Sequence, residues 1–198
     1  MSLLALLLAA AVAPETPPAV PPPLPAPAPV AAAPARPAPP PPPAPVANPL
    51  APAKLGKLMC YSPDQALRTC GAMAAYGFPT DGKILNRAQV VVTPSPYTVM
   101  TTLTAVTLRG PAVCGRMEGA AEATFTIDGK PADAATTADL RGQIARAFTA
   151  YEGVEVCTAY VPFREGFMAT VSIGGAPRPD MNQPVIWVEL NDGYVVGQ

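Results

Sequence analysis

The stretch YTVMTTLTAVTL, residues 97–108, places Val99, Thr101, Leu103, Ala105 and Thr107 at alternate positions. An unbroken period of two is the mark of a β-strand with two unlike faces. Reading outward, 88–93 carries Val90, Val91 and Val92 and suits a buried strand. Further short strands are expected at 71–78, 111–117, 122–127, 155–161, 167–173 and 185–189. Three Asp-Gly pairs, Asp81-Gly82, Asp128-Gly129 and Asp192-Gly193, supply the positive φ values of tight hairpin turns, and Arg164-Glu165-Gly166 makes another turn.

One segment breaks the period of two. Leu140, Ile144, Phe148 and Tyr151 recur at helical spacing after Thr136-Thr137 and before Gly153, which predicts a helix over 138–152. Strands, one helix, then strands again point to an α+β fold: a mainly antiparallel sheet of about six to eight short strands, with one amphipathic helix packed on one face.

Composition divides the chain. Of its 29 prolines, 19 fall within residues 1–54, where Glu15, Arg36 and Lys54 are the only charged side chains. Residues 2–13 are uncharged and mostly apolar, too short for a spanning helix and suited to a signal peptide over 1–13. Residues 14–54 are mainly Pro, Ala and Val. Proline fixes φ and removes an N–H donor, so this stretch is expected to be a disordered, extended tether. The run Pro39–Pro43 contains a PxxP pattern, but only Arg36 offers a flanking base, which favours a spacer over a ligand for a proline-binding module. Residues 55–198 are left as the globular domain.

All four cysteines, Cys60, Cys70, Cys114 and Cys157, lie in that domain. An even number in an exported chain suggests two disulfides. The pairing Cys60–Cys70 and Cys114–Cys157 is expected, the first around a short turn and the second between two strands. A zinc site built from four cysteines needs closely spaced pairs; the nearest two here are ten residues apart and the chain has no histidine. No metal and no cofactor is expected.

The absence of histidine also removes the Ser-His-Asp and Cys-His catalytic arrangements. No phosphate-binding loop or dinucleotide fingerprint is present. Carboxylate pairs such as Glu118 with Glu122, or Asp180 with Glu189, are the enzymatic option that survives. A net charge of −1 with acids and bases interleaved argues against nucleic acid. The segment 174–184 is longer than a hairpin needs and leads into Trp187, the sole tryptophan. It makes Arg178, Asp180, Met181 and Asn182 the candidate binding residues.

These features describe an exported protein, periplasmic or extracellular, with no stable membrane span, expected to be monomeric. Its domain is read as a non-enzymatic binding module on a Pro/Ala-rich tether, with an envelope protein or cell-wall component as partner. The alternatives are a small carboxylate-based hydrolase acting on envelope glycan and a structural envelope protein.

Overall fold

The computed structural model describes residues 48–118 and 121–197. The expected signal peptide and the tether up to residue 47 lie outside the described residues. Twelve strands and one α-helix are present among them. The strands are β1 (Leu58–Asp64), β2 (Thr69–Gly77), β3 (Ile84–Pro94), β4 (Tyr97–Arg109), β5 (Ala112–Arg116), β6 (Thr124–Ile127) and β7 (Lys130–Pro131). The helix α1 (Ala134–Phe148) follows, then β8 (Glu155–Phe163), β9 (Gly166–Ile173), β10 (Ala176–Pro177), β11 (Gln183–Val188) and β12 (Val195–Val196).

The sheet closes on itself, which corrects the expectation of a sheet of about six to eight short strands with the helix packed on one face. Eight strands form the ring in the order β1-β2-β3-β4-β5-β8-β9-β11, and β11 returns to pair with β1. Every neighbouring pair in the ring is antiparallel. The other four strands are accessory: β6 and β7 extend from the start of β4, β10 pairs with β9, and β12 runs parallel to β2. Closure removes the unpaired edges of a sheet and gives each ring strand one inward and one outward face.

The register fixes which residues point inward. Tyr61 opposes Ala72, Ala72 opposes Val90, and Val90 opposes Met100. Further along β4, Val106 opposes Gly115, which opposes Val156, which opposes Ile173. Ala169 then opposes Gln183, and Val185 on the same face of β11 opposes Tyr61 again. The interior of β4 is therefore Met100, Thr102, Thr104 and Val106. The alternate set read from the sequence faces outward, and Leu103 within it is 56% exposed.

One end of the barrel is plugged and the other is not. At the end where β1 begins, a short 3-10 turn at Pro52–Leu55 brings Leu50 and Ala53 into the core with Met59, Ala74, Tyr76 and Val185. The packed body thus begins upstream of residue 55. On the outer face of β1, β2 and β11, a second apolar cluster joins Cys60, Cys70, Met73 and Val188 to Tyr194 and Val196 of the C-terminal segment. That segment is held by the Tyr97 hydroxyl, which donates to the Val196 carbonyl, and by Gly197 N–H, which donates to Cys70 O at 2.9 Å.

Both expected disulfides form. Cys60–Cys70 joins β1 to β2, and Cys114–Cys157 joins directly opposed residues of β5 and β8. The helix begins four residues before its expected start. Asp133 is the N-cap, its side chain accepting from Thr136 N at 2.8 Å, and this hydrogen bond holds the Asp133 carboxyl below its usual value. Two Asp-Gly pairs behave as turns between antiparallel strands. Asp128 and Gly129, both at positive φ, link β6 to β7, and Asp81-Gly82 lies in the loop before β3. Asp192-Gly193 instead leads into the parallel strand β12.

The β9–β11 seam is tight at Gly166, where an added Cβ would run into the Val185 carbonyl oxygen and the Ile186 side chain. Because backbone cannot move aside cheaply within a closed ring, Gly166→Ala is expected to cost about 2 kcal/mol of stability. A urea midpoint equal to that of the unaltered protein would show that the seam has slack.

Candidate functional site

The interior of the barrel is only partly filled. Six of the eight ring strands line it, and where their side chains are small, as at Gly115, Thr102, Thr104 and Thr158, they do not meet across it. They leave a cavity of about 770 Å³. Gly115 deepens this space, since a Cβ there would come within 3.1 Å of Val106 Cγ1.

The deep part of the cavity, toward the plugged end, is polar. Tyr61 from β1, Tyr76 from β2 and Tyr160 from β8 converge there, with the Tyr61 and Tyr160 hydroxyls 2.7 Å apart. Tyr76 adjoins both and couples to them. Burial, and secondarily the coupling among the three, pushes the Tyr61 and Tyr160 hydroxyls well above their usual values; burial alone dominates the smaller rise at Tyr76. The cluster is therefore neutral and resists acquiring negative charge. Beside it, Asn86 lies opposite both Tyr76 and Thr104 in the register. Its buried Oδ1 has no hydrogen-bond partner among the described residues. An unpaired buried carbonyl of this kind costs free energy unless something meets it.

The shallow part is mostly apolar and lies where β5 ends and β8 begins. Val156, Met100 and Met117 line it together with Ile144, Ala145 and Phe148 of α1. The helix therefore lies across the barrel mouth, and none of its residues is buried. Its expected apolar stripe is real but faces a cavity instead of a packed sheet. Four charged side chains, Arg116, Glu118, Arg141 and Glu152, ring this entrance. Both arginines are tied to backbone: Arg141 Nε donates to Ala123 O at 2.8 Å and Arg116 donates to Gly153 O at 3.1 Å.

Comparison with known protein families, curated proteins and solved structures finds no match to this chain.

Arg178, Asp180, Met181 and Asn182 do not line the cavity. Their segment is also more regular than expected, containing β10 and a 3-10 turn at Pro179–Met181. Arg178 forms a two-pronged ion pair with Asp180 at 3.0 and 2.7 Å. That hydrogen-bonded pairing raises the Arg178 pKa and lowers that of Asp180. Arg178 also donates to the Tyr151 hydroxyl at 3.2 Å and stands 5.9 Å from its ring centre. Asn182 Oδ1 accepts from Val171 N at 3.0 Å. The segment thus anchors the chain just beyond α1, and its link to the cavity is indirect.

The carboxylate pairs fare differently from one another. Asp180 and Glu189 lie beyond opposite ends of β11, which by itself spans roughly 20 Å, and Glu189 is paired with Lys57 at 3.3 Å. Glu118 lines the cavity mouth with Glu152, whereas Glu122 does not line it. The side chains of Cys114, Glu155 and Cys157 cluster at distances a metal ion could span. There the two sulfurs are bonded to each other and Glu155 is paired with Arg109 at 2.8 Å.

Proposed function

We propose that this is an exported binding domain whose barrel holds one small, largely apolar molecule beneath the helix α1. The observation that carries this reading is the cavity of about 770 Å³ inside a closed barrel. Its size falls within the roughly 300–1,000 Å³ of pockets that enclose small ligands. A few polar groups at one end of an apolar space give orientation, and the apolar wall gives affinity. Two disulfides accord with an oxidising compartment outside the cytoplasm, and no described helix is long and apolar enough to cross a membrane. In this reading the Pro/Ala-rich segment keeps the barrel within reach of an envelope surface, where apolar molecules are delivered or collected.

An environment-sensitive apolar dye such as N-phenylnaphthylamine tests the proposal. The protein is expected to bind it with one site per chain. Thr102→Phe, which extends an aromatic ring into the cavity from the middle of β4, is expected to weaken that binding at least tenfold, while the urea midpoint holds or rises. Undiminished dye binding in Thr102→Phe would place the dye elsewhere and overturn the reading.

The hydrolase alternative retains one specific observation, the two carboxyl groups Glu118 and Glu152 at the cavity mouth. Glycan hydrolysis that is abolished by both Glu118→Gln and Glu152→Gln would favour it over simple binding.

A further inference from the structure

The cavity is polarised along its length, and this carries an inference about its occupant that rests on the binding role proposed above. The deep end offers three tyrosine hydroxyls and the unpartnered Oδ1 of Asn86. The shallow end offers Ile144, Ala145 and Phe148. We propose that the ligand is a neutral single-chain amphiphile, bearing a hydroxyl or carboxamide head, that enters head first and leaves its alkyl tail under α1.

Three observations fix the chemistry. First, Asn86 lines the cavity and its buried Oδ1 is an acceptor without a partner among the described residues, so the floor beside it is polar and a hydrocarbon end would leave it so. Second, the tyrosine hydroxyls can both donate and accept, so a head that does both is matched by the cluster. Third, no cation stands at the deep end among the lining residues; Arg116 and Arg141 are at the mouth. A carboxylate driven to the deep end would be a buried charge without a counter-ion, which is strongly unfavourable. A fatty acid could satisfy the arginines only by entering tail first, and its methyl end would then lie against Asn86 and the tyrosines. The polar floor and the position of the arginines therefore select for a neutral head and against an ionised one.

The test is competition against bound N-phenylnaphthylamine on the full chain, using dodecanol, dodecanamide and dodecanoate. Dodecanol and dodecanamide are expected to displace the dye at concentrations roughly tenfold or more below dodecanoate at pH 8. At pH 4, where more of the acid is protonated, dodecanoate is expected to close much of that gap. Asn86→Leu removes the acceptor at similar size. Relative to the dye bound by the same variant, dodecanamide is expected to weaken roughly tenfold, since the polar floor is then lost. Dodecanoate binding as tightly as dodecanol at pH 8 overturns the head-first neutral ligand while leaving the cavity reading intact. So does an Asn86→Leu variant with unchanged preference among the three. Failure of the dye to bind at all overturns the cavity reading itself and this inference with it.

Discussion

Replacing Cys114 and Cys157 together by alanine is expected to lower stability by about 4 kcal/mol, and replacing Cys60 and Cys70 together by nearer 3 kcal/mol from the loop term alone. The bridges close loops of different length, with sequence separations of 43 and 10. A cross-link restrains the unfolded chain more when the loop it closes is longer. Packing works in the opposite direction. Cys60 and Cys70 are both fully buried and sit at the centre of the outer cluster with Met73 and Val188, whereas Cys157 is only partly buried. Removing the first pair therefore leaves a void that adds to its cost. Urea unfolding of the two double variants separates these effects. A larger loss for the Cys114/Cys157 variant means that restraint of the unfolded chain dominates. A larger loss for the other means that packing of the outer cluster does. A loss below about 1 kcal/mol in both would show that the barrel holds its shape without cross-links.

Most strands of the ring are legible in the sequence and their closure is not. Alternation identifies β4, and both disulfide pairings follow from spacing and strand position. β1 escapes notice because Leu58–Asp64 contains Pro63 and offers only a short apolar run. Without β1 the ring cannot close, since the closing pair joins Leu58–Tyr61 to Val185–Val188 from opposite ends of the domain. No local pattern reports a contact over that separation. The helix shows the opposite weakness: its apolar stripe is plain in the sequence, but a stripe says only that something apolar lies opposite. Here that is a cavity wall, with Ile144 and Phe148 facing into it.

The site is illegible for a related reason. A barrel filled by its own side chains marks its whole interior with apolar residues, and this one does so only in part. Thr102, Thr104, Asn86 and three tyrosines face inward, so the polar positions of each strand read as solvent-facing. The signal that is present lies in β4, which carries Leu103 to solvent while Thr102 and Thr104 face inward. A strand whose apolar set is the exposed one points to a hollow interior. The segment with Arg178 and Asp180 draws notice for its length, and Arg178 within it donates to the Tyr151 hydroxyl just beyond the helix.

Leu50→Ala is expected to destabilise the domain by about 3 kcal/mol and to lower its melting temperature by roughly 10 °C. Leu50 lies in the proline-rich approach to the barrel, between Pro49 and Pro52, where composition alone assigns it to the tether. In the structure it is fully buried, more so than most strand residues, and packs with Met59, Tyr76, Val106 and Val113 at the barrel's plugged end. Its approach is set locally: Asn48 Oδ1 accepts from Leu50 N at 3.3 Å, and Gly56 at positive φ ends the 3-10 turn and starts the chain toward β1. A hollow barrel cannot relax around the lost side chain as a filled core can, because the space beyond is already a cavity. The expected cost therefore lies well above that of a surface leucine. Leu55→Ala provides the control, since Leu55 belongs to the same turn but is 81% exposed, and its loss is expected to change stability by no more than about 0.5 kcal/mol. Equal urea midpoints for the two variants would show that the approach segment is not part of the folded body. The expected difference makes residues 50–53 part of the barrel's plugged end, with α1 lying at the other.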